Sequence, residues 1–211
     1  TLPRFTLLET IREFAADLLV THDEHETAHA RHAAFFVERC TRAAAAWPLA
    51  GPPPEALAWM EAEHPNIRAA LAWLLETNAA EAALQLAIAA GDFWFTRGYV
   101  VEGTSWLRRG LAQDESLPPH LRARALTRIA CLATRALDRT ALPESEASVA
   151  LWDELGDESF GHALAVLQLG VLIGLDADFA RAEKLLGEAA ERFRILDDRA
   201  MVTVAIANQA N

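Results

Sequence analysis

Residues 169–189 read LGVLIGLDADFARAEKLLGEA, and the spacing within them decides the fold. Leu169, Gly170 and Ile173 recur at helical intervals, Asp176 to Asp178 interrupt them, and Phe179, Ala182, Leu186 and Ala189 resume the helical interval. Two short antiparallel helices joined by a tight turn satisfy that pattern. Small residues let their backbones approach, and large ones fill the gaps between successive pairs. The same frame recurs earlier in the chain. Counting back from Gly170 to Gly91, an offset of 79 residues, gives Gly91, Trp94, Gly98, Gly103, Leu107 and Gly110 in equivalent places.

The spacing is that of tetratricopeptide helix pairs, which repeat at about 34 residues. A middle unit fits in its first helix, with Leu126, Ile129, Ala130 and Ala133 in the expected positions, but carries Glu146 where its second helix needs an apolar residue. The repeat is therefore slightly long and irregular. Helices are expected near residues 80–96, 100–113, 119–137, 143–155, 158–175, 178–195 and 198–211, the last being the first helix of a fourth unit. Gly98, Pro118-Pro119, Pro143 and Gly156-Asp157 punctuate them. Ahead of the repeats, a short strand is expected at residues 4–8, then a helix with Ile11, Phe14, Ala15 and Leu18 on one face. A long helix should run from Glu26 to Trp47 until the run PLAGPPP at residues 48–54 stops it. A short helix at 55–63 should end at His64-Pro65-Asn66, where Pro65 begins another. The expected fold class is all-α: a right-handed array of antiparallel helix pairs.

Composition narrows the function classes. The chain has 211 residues, 52% of them apolar, which is enough to build a core and argues against disorder. A formal charge of −11 argues against direct binding to nucleic acid. Lys184 is the one lysine, so arginine carries nearly all the positive charge. Cys40 and Cys131 fit neither a disulfide framework nor a paired metal motif, and a reducing cytoplasm is the expected setting. No apolar run approaches the length of a membrane span, and no signal peptide is evident. Both ends look like cuts within a longer protein.

The stretches RFTLLETIREFAADLL (4–19), RHAAFF (31–36), EAEHPNIRAALAW (61–73) and FWFTRGYVVEGTSWLRRGL (93–111) resemble the region that follows the NTPase module of LuxR-type and related bacterial transcriptional regulators, of the STAND class of signal-transduction ATPases. The resemblance runs over nearly the whole chain, and its motifs are structural rather than catalytic. It implies three parts: residues 1–20 as the end of a winged-helix segment, residues 21–78 as linking helices packed on the array, and residues 79–211 as the repeats. Nucleotide and DNA would be bound by other domains of such a regulator. Neither G-x-x-x-x-G-K-[ST] nor G-x-G-x-x-G occurs in this sequence.

Four of the seven histidines lie in HDEHETAHARH at 22–32, and His25-Glu26-Thr27-Ala28-His29 spells the H-E-x-x-H pattern of zinc peptidases. On a helix, His25, His29 and His32 share one face, enough imidazoles for zinc, with Glu26 as general base. The setting opposes that chemistry. Polar Thr21 to Glu24 precede the motif, no strand is expected beside it, and His32 occupies the position where metzincins carry glycine. A partly solvated helix start rich in His and Glu is the better account. Glu63-His64-Pro65-Asn66 reads as capping between two helices rather than as an acid–base pair. The aromatic run Phe93-Trp94-Phe95, with Tyr99 and Trp106, reads chiefly as core.

First helices of such pairs line a concave surface. Its lining is expected at Gln85, Ile88, Asp92, Phe95 and Thr96, then at Arg124, Thr127, Cys131, Thr134 and Arg135, then at Leu164, Leu167, Val171, Gly174 and Leu175. Arg124 and Arg135 suit a carboxylate. The expected function is a non-enzymatic sensor and protein-interaction module. It would take a protein partner or small-molecule effector in the groove and pack against the regulator's NTPase module, with no cofactor in this chain and no membrane contact. Two other classes stand beside it: a zinc-dependent hydrolase using residues 25–29, and a scaffold that only oligomerises.

Overall fold

A computed structural model describes residues 8–47 and 51–209. Among them are ten α-helices, one 3-10 turn and no strand. The helices are α1 (Glu9–Thr21), α2 (His25–Ala45), α3 (Pro54–Glu76), α4 (Ala80–Arg97), α5 (Val100–Gln113), α6 (Pro119–Ala136), α7 (Leu142–Leu155), α8 (Phe160–Leu175), α9 (Phe179–Ile195) and α10 (Arg199–Gln209), with the 3-10 turn Arg139–Ala141 ahead of α7. From residue 80 onward every helix falls within a residue or two of its expected bounds. The strand expected at residues 4–8 lies outside the described residues apart from Leu8.

The sequence reading errs at Pro65. No break occurs there: α3 runs unbroken from Pro54 to Glu76 with Pro65 inside it. Met60, His64, Ile67 and Leu71 fall at intervals of four, three and four residues, and all are buried. One apolar stripe thus holds both halves of α3 against its neighbours, while the proline ring sits on the exposed side.

Helices pack as consecutive antiparallel pairs, α2/α3, α4/α5, α6/α7 and α8/α9, with α10 against α9. The first helices α2, α4, α6 and α8 also touch one another in order, forming a continuous row. The recurrent frame survives in detail. Trp94 and Ile173 are both buried, as are Leu107 and Leu186. Gly98 and Ala177, equivalent in the frame, both hold a left-handed backbone at φ 81° and 65°. Small residues earn their positions by close approach: a Cβ on Gly103 would stand 2.6 Å from the Trp94 ring, and one on Gly110 would stand 2.8 Å from Leu84.

The irregular second helix of the middle unit has a physical account. In α7 the inward face carries Ser145, Ser148 and Trp152, and Glu146 turns outward to bond Arg181 at 2.8 Å. The Trp152 indole donates to Thr127 Oγ1 at 2.9 Å, and that oxygen lies 2.9 Å from Ser148 Oγ. A buried polar knot replaces the apolar contact of the other pairs, with partners supplied for the Thr127 and Ser148 hydroxyls but none for Ser145 Oγ.

Charged side chains stitch successive units together. Arg68 grips Glu102 in bidentate fashion at 2.7 and 2.5 Å, Arg108 grips Glu144 at 2.5 and 2.9 Å, and Arg192 reaches Glu158 at 2.7 Å. Arg68–Glu102 and Arg108–Glu144 each tie one helix pair to the next, whereas Glu158 lies in the link ahead of α8, so Arg192 fastens that link to α9. The fork of arginine suits such pairing.

Candidate ligand groove

Two adjoining cavities, of 450 and 270 Å³, open along the row of first helices. The larger takes residues from α2, α4, α6, α8 and α10, so its walls exist only once the pairs have stacked. Arg128, Phe160 and Leu164 line both cavities, which join them into one groove.

Many of the expected residues meet there. Asp92, Phe95, Thr96, Cys131 and Leu164 line the larger cavity, and Ile88, Arg124, Thr127 and Leu164 the smaller. Thr127 is buried and already bonded within the polar knot. Other expected residues stand elsewhere. Gln85 lines neither cavity and donates to Glu81 one turn away at 3.2 Å. The Thr134 hydroxyl lies 2.6 Å from Gln168 Oε1, bridging α6 to α8 rather than facing the cavities. Arg135 stacks over the Phe95 ring, 6.0 Å from its centroid, at the rim. Leu167 is core, buried against Phe193 and Ala189 in the α8–α9 interior. Val171, Gly174 and Leu175 line a separate cavity of 430 Å³ with residues of α9 and α10.

Sequence reasoning missed Arg128, Phe160, Gln168, Met201 and Trp47. Arg128 follows Arg124 by one helical turn, so it shares that face, and the spacing alone would have found it. Its guanidinium pairs with Asp92, joining α6 to α4 across the groove floor. Its stem lies over Gly91, where a Cβ would collide with the arginine Cδ at 2.3 Å. Burial disfavours the charged guanidinium, but the Asp92 carboxylate outweighs it and raises the pKa of Arg128. Burial pushes the Cys131 thiol up to about 11 and the Cys40 thiol up to about 12, so neither is a thiolate nucleophile at neutral pH.

The histidine-rich stretch spends its rings on packing. His25 and His29 lie 4.3 Å apart, and His29 stacks on Trp73 of α3 at 4.9 Å. His32 meets the Phe36 ring at 4.9 Å. Burial, then the neighbouring His25, lowers the pKa of His29; burial, then His29, does the same to His32. Among the described residues no group of three or more His, Cys, Asp or Glu side chains is disposed to hold a metal ion. Helix α2 begins at His25, and Trp73 is the surface that His25 and His29 share.

His64 does not cap a helix end, as the sequence reading expected. It is buried in mid-α3, with Nε2 3.1 Å from Glu102 Oε1 and 3.4 Å from the Trp94 indole nitrogen. Burial lowers its pKa, with Glu102 opposing. Burial also pushes the Glu102 carboxyl up, but Arg68, His64 and Trp106 together hold it below the usual range. The E-H-P-N segment is thus a joint between α3, α4 and α5. Phe93 and Trp94 are wholly buried as expected, whereas Phe95 is 39% exposed and faces the groove.

No helix among the described residues is long and apolar enough to cross a membrane. No protein-family model matches the chain. In an alignment of 205 positions that covers 93% of its length, the chain is 30% identical to a protein of Mycobacterium bovis and to its counterparts in two strains of Mycobacterium tuberculosis, each provisionally described as an HTH-type transcriptional regulator. The chain spans 23% of the length of these relatives. It is a distant homologue of one part of large mycobacterial regulators.

Proposed function

We propose that this chain is a non-enzymatic sensor and protein-interaction module of a STAND-type ATPase transcriptional regulator, working in the bacterial cytoplasm. Residues 79–211 supply the repeats, residues 21–78 pack on their front, and residues 1–20 end a winged-helix segment. The reading is carried by the groove: five alternate helices, α2 to α10, contribute to one concavity of small-molecule size, with apolar walls and a few convergent polar groups. Distant homology to transcriptional regulators supports it. An occupant bridging α4, α6 and α8 favours one curvature of the array over others. That bias changes how the array seats on an NTPase module and shifts the regulator between closed and open states. Nucleotide and DNA are handled by other domains, and this chain carries no cofactor.

A thermal-shift screen of the chain against metabolites and short peptides tests the reading. The expected result is a compound that raises the unfolding midpoint of the wild type but not of Leu164→Arg, which plants a charge in the groove. Hits indifferent to Leu164→Arg, or none from a broad library, would defeat it. A second role, self-association, is favoured by apolar side chains left exposed on the last two helices, Phe179 and Ile195 on α9 and Val204 and Ile206 on α10. Light scattering across a concentration series reads it directly.

A further inference from the structure

The groove carries more positive charge than it neutralises. Arg124 and Arg128 stand one turn apart on α6, and both line the smaller cavity. Among the described residues Asp92 is the one acid lining either cavity, and its carboxylate is occupied by Arg128. Arg124 is left with no hydrogen-bond or carboxylate partner among the described residues, although Arg68, Arg108, Arg181 and Arg192 elsewhere all have one. Arg124 is itself exposed at the edge of the smaller cavity, and desolvation by its neighbours, then the like charge of Arg128, lowers its pKa. Arg135 adds positive charge at the rim beside Phe95. The net charge of the chain is −11, so this cationic concavity runs against its average surface.

Beside Arg124 the wall turns apolar, through Ile88, Trp152, Phe160 and Leu164. A ligand matching both halves carries one negative charge at one end and a hydrocarbon body at the other. Resting on the groove reading above, we propose that the effector is a small carboxylic acid with an apolar chain or ring. Its carboxylate sits on Arg124, and its body lies over Phe160 and Leu164 toward the larger cavity. Arg124 fixes orientation through a charge-assisted pair that the protein itself leaves unmade. An acidic peptide suits the site less well, because several carboxylates would face one free guanidinium and an apolar wall.

Isothermal titration of the full chain with octanoate and 3-phenylpropanoate, and with the corresponding uncharged primary amides, tests the inference. At least one acid is expected to bind tenfold or more tightly than its amide. Arg124→Gln should remove that preference and leave the amide affinity unchanged, with folding checked by circular dichroism. Arg194→Gln, on α9, should behave as wild type. Equal affinity of acids and amides, an Arg124→Gln variant that keeps the preference, or no binding of either acid at millimolar concentration would overturn the inference. So would an acidic peptide that binds through Arg124 where both small acids fail. If acids and amides bind alike and Leu164→Arg abolishes both, the anion inference falls while the groove reading stands.

Discussion

His64 shows how a single residue can be misread from sequence and then explained by its neighbours. In E-H-P-N it looks like a turn residue, because a following proline disfavours helix before it. Its actual surroundings, Trp94 from α4 and Glu102 from α5, come from positions 30 and 38 residues away, and nothing local announces them. Its burial has a consequence for stability. His29, His32 and His64 all have pKa values lowered in the folded chain, so they remain neutral there while the unfolded chain charges its histidines below about pH 6.5. Unfolding therefore takes up protons on acidification, and the stability these residues supply is full above about pH 6.5 and declines as pH falls below it. Urea midpoints are expected to drop between pH 7.5 and pH 5.5, and His64→Gln should shrink that drop. A midpoint that holds or rises on acidification would contradict the assignment. The groove residues divide in the same way. Asp92, Phe95, Thr96 and Arg124 were legible from helical register alone, but the pairing of Asp92 with Arg128 was not, because it depends on the distance between two helices.

At the scale of the element, periodicity gave the helices of the repeat region their bounds, since apolar stripes at helical intervals and glycine or proline breaks act locally. It failed where tertiary packing overrode a local rule, as in α3, whose buried stripe carries the helix through Pro65. Glycine illustrates both the local and the tertiary scale. Gly103 and Gly187 each cost their helix about 1 kcal/mol relative to alanine. At Gly103 the missing side chain is required, because a Cβ would meet the buried Trp94 ring at 2.6 Å. At Gly187 the nearest atom, Gln209 Nε2, would lie at an ordinary 3.6 Å. Gly103→Ala should destabilise by about 1–3 kcal/mol through overpacking, and Gly187→Ala should stabilise by roughly 0.5–1 kcal/mol. Equilibrium urea unfolding distinguishes the two; shifts of the same sign would mean that the helix contacts are misplaced. The repeat frame includes Gly103 and passes over Gly187, and the partner across the interface supplies the physical reason.

For the whole molecule, stacking builds the site. No single pair encloses the larger cavity, whose lining reaches from α2 to α10, and the ion pairs of Arg68, Arg108 and Arg181 hold together the helix pairs that form it. The array was readable because each unit repeats a frame, whereas the cavities arise where several units meet, which no one repeat encodes. The central claim is that the row of first helices is the binding face. Hydrogen–deuterium exchange of the full chain, alone and with the strongest stabilising compound from the thermal-shift screen, addresses it most directly. The account predicts that new protection is confined to α4, α6 and α8, with peptides covering the outer surface around Val101, 81% exposed on α5, unchanged. Protection centred on α5, α7 or α9 instead, with the first helices unaltered, would contradict it.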